Sequence, residues 1–470
     1  MCHNRTAART ATALGLLCLL VAATLRAQLD YNGPYLDECD YLFVSRLLYA
    51  GEDWPTQRYI FSSNLPLYVL GIGEQLGGLS GARAVAAALG VASLGLFAAV
   101  WARVLQSWRA GALAASILAA QAPHIFISKL ATYDIVCFTL FVAALLPLAR
   151  GEDRGGVRPR DAAASALLFG LAVLSKYVVI LYAPLLLLGA WRWGRRQVAA
   201  FAAPLALTLA IYGGLNHTAL SVLLSEQVQG VHLANSAPLE VAGALLRYGA
   251  AAGLLWLAAW DAAVRAKDRR ARTALLWMLI ASLPIAAFHI NARDGISLYK
   301  HMVYPLAFLC PAAAWLMTRA EYARWRVGAV LLMVGLATSA LEVGRMERAW
   351  PDARPVVAEA SAMLDDATRV LSENPYLFRY HLHPALPLDR FRDVDDAAAD
   401  AIRYGHVDWV YLDDTLTPER NDRLRRVLDD SGYERILAHP YVLSTVISDR
   451  SSGQMELYRR TERAAHRTQE

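Results

Sequence analysis

Three acidic residues stand within four positions of one another, directly after the first hydrophobic segment of the chain. They are Asp37, Glu38 and Asp40, in the stretch YNGPYLDECDY at residues 31–41. A carboxylate accepts a proton from a hydroxyl group more readily when burial or a neighbouring negative charge raises its pKa. Acids in the first turn of a helix, where the helix dipole favours negative charge, give the same pattern. The stretch alone is compatible with either role.

Other ionisable residues interrupt later hydrophobic segments. They are Lys129 and Asp134 in SKLATYDIVCF, Lys176 in LSKYVV, and Lys300 and His301 in SLYKHMVYP. An acid at membrane depth is costly and usually functional, although Asp134 could simply pair with one of the lysines. Lysines there either stabilise the charge of a departing phosphate or extend to the bilayer surface. If these residues converge, they suit removal of a proton from a hydroxyl and release of a phosphate.

The composition indicates a membrane protein with many spans. Of 470 residues, 56% are hydrophobic and 19% are charged, and the apolar residues come in long runs. Soluble domains rarely combine these features. The net charge of +5 is modest and predicts no nucleic-acid partner. The five cysteines form no CxxC pair, which argues against a zinc or redox motif.

The hydrophobic runs predict about eleven transmembrane helices. We place them near 10–28, 82–104, 110–127, 132–149, 162–176, 177–192, 197–215, 240–262, 273–290, 301–318 and 327–344. The first run could instead be a cleaved signal peptide, and either way residues 29–63 lie outside the cytoplasm. Two amphipathic or short pieces, DECDYLFVSRLLYAG and residues 64–77, predict interfacial helices.

Basic residues cluster in every second loop, which sets the orientation. Examples are the loops at 103–109, 150–160 and 265–272. Because cytoplasmic loops carry the excess of lysine and arginine, the N-terminus is predicted to be cytoplasmic. An odd number of spans then places the C-terminus on the opposite, non-cytoplasmic face.

The composition changes after residue 345. Residues 346–470 are charged, and apolar strands such as VDWVYLDD and MELYRR alternate with helical patterns such as TPERNDRLRRVLDDSG. This alternation predicts a soluble α/β domain. The expected architecture is an all-α polytopic membrane domain over 1–345, with a first outer loop at 29–81, followed by an extracytoplasmic α/β domain.

Several pieces in order along 10–345 resemble a known family. They are LDECDYLFVSRLLYAG, NLPLYVLG, LATYDIVCFTLFVAAL and GLAVLSKYVVILYAPLLLL. They resemble the polyprenol-phosphate-dependent glycosyltransferases of the type-C membrane fold (GT-C), the group that contains protein O-mannosyltransferases and lipid A aminoarabinose transferases. The tail after ARPVVAEA resembles the soluble tail of many bacterial members.

The resemblance implies roles for individual residues. Asp37 would be the general base, supported by Glu38, in an inverting single displacement of sugar from a polyprenyl-phosphate donor to an acceptor hydroxyl. The resemblance gives Asp40 no role, so we expect Asp40 to be a surface charge. Asp134 would orient the acceptor or help to bind a metal. The resemblance leaves a divalent metal open as a cofactor, with Asp37 and Asp134 as its candidate ligands.

The donor phosphate would be bound by cations of later segments. Lys176, Lys300 and His301 are the candidates implied by the resemblance. Many members have a lysine or histidine before a Pro-Pro pair in the second loop element, where this chain has Ser63-Asn64-Leu65-Pro66. Arg58 is the candidate substitute for that missing cation.

These observations predict a membrane glycosyltransferase whose partners are a polyprenyl-phosphate sugar, a lipid, glycan or protein acceptor, and the bilayer. One competing hypothesis is a transporter or lipid flippase, which usually carries internal repeats and mid-membrane charges. A second is a non-catalytic assembly protein whose tail binds an envelope partner.

Overall fold

A computed structural model describes residues 16, 19–52, 63–222, 238–293, 295, 297–318, 337–363, 365, 368–373, 375–382, 388–415, 418–444 and 452–461. The chain divides into two compact units. The first comprises Met1–Leu29 and Leu48–Val343, and the second comprises Asp30–Leu47 and Gly344–Glu470. The predicted domain boundary at residue 345 lies next to Gly344, where the longer segment of the second unit begins. Residues 30–47, with the acidic stretch, group with the tail.

The described part of the first unit is helical. Helix α1 (Leu36–Ala50) begins in the second unit. The helices of the first unit that follow it are α2 (Leu65–Val104), α3 (Trp108–Ala119), α4 (Ala122–Lys129), α5 (Tyr133–Arg154), α6 (Pro159–Ser175), α7 (Ala183–Trp191), α8 (Arg195–Leu215), α9 (His217–Val222), α10 (Pro238–Arg265), α11 (Arg269–Ala281), α12 (Pro284–Ala292), α13 (Leu298–His301) and α14 (Val303–Thr318). A 3-10 helix, Tyr177–Tyr182, precedes α7.

Five helical segments of the described residues are long and apolar enough to cross a membrane. They are Leu65–Val104, Tyr133–Arg154, Arg195–Leu215, Ala271–Ala292 and Leu298–Thr318, and two bent helix pairs raise the number to seven if each pair is one span. The predicted spans at 162–176 and 177–192 are helical but fall short of that length. Of the predicted span at 10–28 the structure describes residues 16 and 19–28, with helix over 19–26, and of the span at 327–344 it describes residues 337–344.

The predicted span at 110–127 is broken. Helices α3 and α4 meet at an angle of 69°, and Pro123 stands in the first turn of α4. The Arg26 side chain lies at this break. Its guanidinium group contacts Nδ1 of His124 at 2.6 Å and donates to the Ala119 carbonyl at 3.4 Å. Since α3 ends at Ala119, the arginine provides a donor for a carbonyl that the helix leaves unpaired.

Glycines shape the start of α2. Its backbone leaves the helical conformation at Gly77 and Gly78, and Gly78 has a φ of 57°. A Cβ atom added to Gly73 would lie 2.3 Å from the carbonyl oxygen of Gly81. The predicted interfacial helix at 64–77 thus corresponds to the segment before this kink, and the predicted span at 82–104 to the segment after it.

Helix α5 lies at the centre of the first unit's packing. It packs against α2 and α6, and α6 in turn packs against α8. Aromatic side chains fill the space between α5 and α14: the Phe141 ring lies 5.1 Å from Tyr182, 5.6 Å from Tyr304 and 6.2 Å from Phe308. Such clusters bury large apolar area and fix the relative position of the helices that carry them.

The second unit contains a five-stranded sheet with the order β2-β1-β3-β5-β4. Its strands are β1 (Val370–Ser372), β2 (Phe391–Asp393), β3 (Trp409–Asp413), β4 (Tyr433–Val442) and β5 (Ser452–Arg460), and its helices after α1 are α15 (Arg354–Ser361), α16 (Pro375–Leu382), α17 (Ala398–Arg403) and α18 (Pro418–Asp430). Strand β1 pairs parallel with β2 and β3, while β5 pairs antiparallel with β3 and β4. The α/β prediction is confirmed, with β2 and α16 as elements that it missed.

Residues 30–47 are an integral part of the second unit. Trp350 donates from Nε1 to the Gly33 carbonyl at 3.1 Å, and its carbonyl accepts from the Asn32 amide at 3.0 Å. The rings of Tyr35 and Trp350 lie 5.0 Å apart, edge to face. Arg46 donates to the Tyr380 carbonyl at 2.5 Å. The acidic stretch is therefore held by tail residues more than 300 positions away in the sequence.

Candidate active site

A buried carboxylate with lysine neighbours forms the polar centre of the first unit. Lys176 Nζ lies 2.5 Å from Asp134 Oδ1, and Lys300 Nζ lies 3.9 Å from Asp134 Oδ2. Thr132 Oγ1 donates to Asp134 Oδ2 at 2.9 Å. Asp134 and Lys176 expose only 3% and 4% of their surface. The structure thus brings together three predicted site residues from distant segments.

Local backbone geometry presents these side chains. Asp134 occupies the second position of α5, where a negative charge is favoured by the helix dipole. Lys176 is extended, with φ −156° and ψ 117°, and separates α6 from the following 3-10 helix. Its ammonium group also lies 4.7 Å from the centre of the Tyr133 ring. A break in the helix therefore places the lysine beside the start of α5.

Lys300 and His301 lie on α13, a helix of four residues. His301 Nδ1 is 2.8 Å from His289 Nε2, and both rings are buried. Lys176 and Lys300 also act electrostatically on the His301 ring. The predicted donor-binding residues Lys176, Lys300 and His301 are thus neighbours, and His289 joins them.

An aromatic and thiol layer lies next to this polar centre. Cys137 Sγ is 3.1 Å from the Tyr304 hydroxyl and 3.3 Å from the Ala172 carbonyl. Cys137 is one turn beyond Asp134 on α5. The apolar side of the site is therefore built by the same helix that supplies the acid.

The acidic stretch forms a second candidate site, in the second unit. Glu38 is fully buried, and its Oε2 accepts from the Tyr35 backbone N–H at 2.9 Å. Tyr35 precedes the first residue of α1 and Glu38 is the third, so this bond is the returning half of a capping box. Asp37 is half-buried at the second position. Glu38 thus fixes the turn that presents Asp37.

Asp40 corrects a sequence interpretation, because it looked like a surface charge. Its Oδ1 atom is buried and has no hydrogen-bond partner among the described residues. Burial first, and then the charge of Asp37, raise the pKa of Asp40 from 3.8 to about 8, against the opposing charge of Arg379. Arg379 lies on α16 of the tail. Asp40 therefore holds a proton at neutral pH.

Arg58 lies outside the described residues. Within the part of the chain that the structure describes, no group of three or more His, Cys, Asp or Glu side chains could hold a metal ion. The oxygens of Asp134 are already contacted by Lys176 and Thr132. The divalent metal that the resemblance left open, with Asp37 and Asp134 as candidate ligands, stays a prediction.

Sequence reasoning missed three contributors to the two sites. Thr132 could have been found as the polar residue directly before the first position of α5. His289 interrupts the apolar run PIAAFHINA, and a buried histidine in such a run is a usable signal. Arg379 carries no signal, because only the tertiary fold of the tail brings it near α1.

The comparisons with known proteins bear on the fold. No protein-family model and no curated protein matches the chain in sequence. Solved structures do match the chain in fold, and the three described next share 16% sequence identity or less with it.

One is ArnT from Cupriavidus metallidurans bound to undecaprenyl phosphate, with a TM-score of 0.61 at 14% identity, covering 96% of this chain and 98% of that one. A second is ArnT in the apo state, with a TM-score of 0.58 at 16% identity, covering 97% and 99%. A third is the archaeal oligosaccharyltransferase AglB from Archaeoglobus fulgidus, in complex with an inhibitory peptide and a dolichol-phosphate. It has a TM-score of 0.57 at 12% identity and covers 96% of this chain and 74% of that one.

The likeness extends over nearly the whole chain in each case. The chain therefore has the type-C glycosyltransferase fold with a C-terminal sheet domain, as the sequence predicted. Together with the apolar helices, this fold makes it an integral membrane protein.

Proposed function

We propose that this protein is an integral membrane glycosyltransferase that moves a sugar from a polyprenyl-phosphate donor to an acceptor hydroxyl on the non-cytoplasmic face, with inversion. One observation carries the proposal: a buried cluster of Asp134, Lys176 and Lys300 on a fold shared with a protein bound to undecaprenyl phosphate. Buried charges are retained in membrane domains chiefly where function needs them.

The lysine cluster supports binding of the donor phosphate. Asp134, Lys176 and Lys300 together carry a formal charge of +1, in a place from which water is largely excluded. Departure of the sugar leaves negative charge on the lipid phosphate, and preorganised ammonium groups stabilise such charge more strongly in a buried site than in water. His301 adds a further nitrogen to this group.

Asp37 is the proposed general base. It stands at the start of α1, whose first turn is fixed by the bond from the Tyr35 N–H to Glu38. A base must be held within hydrogen-bond reach of the hydroxyl that it deprotonates. The neighbouring Asp40, with its pKa raised to about 8, is mainly protonated at neutral pH. Asp37 can therefore carry its negative charge without repulsion from Asp40.

The direct test is transfer activity of the purified protein. The donors are undecaprenyl-phosphate sugars, the acceptors come from an envelope extract of cells lacking the gene, and the readout is release of undecaprenyl phosphate. We expect release in the wild type and a large loss in Asp37→Asn. Absence of release with every donor, from folded protein, would contradict the proposal.

A second candidate function is lipid-phosphate transport, and the broken helix pair α3–α4 favours it. Transporters bind substrates at interrupted helices lined by ionisable residues, and Arg26 and His124 are buried at this interruption. Movement of a fluorescent polyprenyl phosphate across proteoliposomes, with no covalent product, would support transport. A covalent glycosylated product without such movement would support the transferase.

A further inference from the structure

The His301 ring has one partnered and one unpartnered nitrogen. Its Nδ1 lies 2.8 Å from Nε2 of His289. Its Nε2 is buried and has no hydrogen-bond partner among the described residues. His301 exposes 4% of its surface and His289 none. An unsatisfied buried polar atom of this kind needs an explanation, and a ligand is one.

The contact between the two rings fixes what Nε2 can do. A neutral imidazole carries one N–H group and one lone pair. If His289 Nε2–H donates to His301 Nδ1, then His301 keeps its proton on Nε2 and is a donor there. If the bond runs the other way, His301 Nε2 presents a lone pair. The partner ring therefore selects between donor and acceptor character at the unpartnered nitrogen.

The surrounding charges favour the donor form. Lys176 and Lys300 both act electrostatically on the His301 ring. If Nε2 offered a lone pair, an ammonium group nearby would be its natural donor, yet neither lysine bonds to it. A ligand that enters beside two ammonium groups gains most from carrying negative charge, and a negatively charged oxygen accepts from N–H.

We propose that His289 is a positioning residue that holds His301 as the Nε2–H tautomer, so that this N–H donates to an anionic phosphate oxygen of the lipid-linked ligand. The inference rests on the proposed function and deepens it, by adding a tautomer-selecting residue to the phosphate site. The phosphate can be that of the intact donor or of the released polyprenyl phosphate, because both offer the same oxygens.

The first experiment reads the tautomer and does not require activity. The full-length protein is labelled with 13C-histidine and assigned through the His301→Gln variant, at about pH 8, where an unperturbed histidine is neutral. The ring-carbon resonances distinguish the two neutral forms. We expect His301 as Nε2–H in the wild type and a mixture of tautomers in His289→Phe. An Nδ1–H form in the wild type would overturn the inference and leave the proposed function standing.

The second experiment measures lipid binding. Affinities for undecaprenyl phosphate, undecaprenol and inorganic phosphate are compared in nanodiscs. We expect His289→Phe to weaken binding of undecaprenyl phosphate by about three- to tenfold, the loss of one hydrogen bond. Binding of undecaprenol should not change. His289→Gln can still donate to His301 and should recover most of the affinity.

The control is His217→Phe, the same substitution at an exposed histidine of the first unit, which should bind like the wild type. Equal affinity of His289→Phe and wild type would overturn the inference. Binding of inorganic phosphate with the same His289 dependence but no binding of the lipid would retain the tautomer role and refute the lipid as ligand. Wild-type protein that binds neither phosphate would refute the ligand assignment and the proposed function together.

Discussion

Asp134 and Lys176 form a buried ion pair inside a domain that spans the membrane. Their 2.5 Å contact joins the start of α5 to the break after α6. Removing one partner of such a pair leaves the other charge buried, which typically costs about 3–5 kcal/mol. Lys176, which is proposed to bind the donor phosphate, and its partner Asp134 therefore also stabilise the fold around the site.

The Asp134→Asn variant tests the stabilising role. We expect a loss of about 3–5 kcal/mol in unfolding free energy and a clearly lower Tm in detergent, because Lys176 loses its carboxylate partner. The control is Asp153→Asn, which breaks the pair between the exposed Asp153 and the half-buried Arg103 and should change stability by less than about 1 kcal/mol. Equal Tm values for the two variants would contradict the account.

Asp40 predicts a pH dependence with a defined sign. Because the pKa of Asp40 is raised from 3.8 to about 8, the folded state binds more protons than the unfolded state in the window between these values. Its contribution to stability therefore falls as the pH rises through that window. In Asp40→Asn the neutral amide has no such dependence.

We expect the Tm of the wild type to decline more steeply between about pH 5 and pH 8 than that of Asp40→Asn, which should be higher by roughly 2–4 °C at the upper end. Differential scanning fluorimetry of the full chain measures this. Asp400→Asn, at an exposed pair with Arg403, should follow the wild type. Parallel curves for wild type and Asp40→Asn would refute the raised pKa.

For individual residues, the sequence singled out the candidate site residues but not their environment. Asp134, Lys176 and Lys300 stood out because charge is rare in apolar runs, and the structure places them together. Asp40 was misjudged because the burial of its Oδ1 atom cannot be read from the local sequence. His289 was overlooked because a lone histidine in an apolar segment is usually a core residue.

The elements that carry the sites depend on interruptions of regular structure. The kink at Gly77 and Gly78, the 69° break between α3 and α4, and the extended residue Lys176 each interrupt a hydrophobic helix. In a bilayer, interrupted backbone is tolerated where protein packing satisfies its polar groups. Hydropathy predicts the helices themselves but does not reveal these interruptions. The broken span at 110–127 was therefore predicted as one continuous helix.

The close approach of Gly73 and Gly81 gives an element-scale prediction. A Cβ atom on Gly73 would lie 2.3 Å from a backbone oxygen, so Gly73→Ala should destabilise the protein by about 1–3 kcal/mol. Gly95, in the same helix, has open space around it. Gly95→Ala should be neutral or stabilising, since alanine favours helix. Thermal unfolding of both variants tests this prediction, and equal changes in Tm would contradict the close packing at Gly73.

Trp350 holds residues 30–47, the segment that contains Asp37, against the rest of the second unit. It donates to the Gly33 carbonyl and packs against Tyr35. We expect Trp350→Ala to lower stability by about 3–5 kcal/mol and to expose residues 30–47 to proteolysis. Trp191→Ala, at an exposed tryptophan, is the control. Unchanged protection of the segment in Trp350→Ala would refute this role.

At the scale of the whole molecule, the fold was largely predictable. Long apolar runs and alternating basic loops indicate a polytopic bundle, and the strand and helix patterns after residue 345 predict the sheet domain. The grouping of residues 30–47 with the tail was not predictable, because the chain returns to them only after the whole membrane domain. A short strand such as β2, with three residues, carries too little pattern to be recognised.

The orientation in the membrane remains a prediction of the loop charges. A cysteine at Arg403, exposed in the tail, should react with a membrane-impermeant maleimide in intact spheroplasts. A cysteine at Arg154, exposed in a basic loop, should react only after the membrane is opened. Among the described residues, the native Cys39, Cys137 and Cys310 are buried, and Cys2 and Cys18 are replaced by serine in both variants to remove background. The reverse labelling pattern would invert the topology and move the proposed reaction to the cytoplasmic face.

The most direct test of the central claim is turnover of undecaprenyl-phosphate sugars by the purified wild type beside Asp37→Asn. The amide cannot take a proton from the acceptor, so we predict a fall in kcat of about 10²- to 10⁴-fold. The Tm and the affinity for undecaprenyl phosphate should be unchanged. Normal turnover by a correctly folded Asp37→Asn variant would contradict the assignment of Asp37 as the general base.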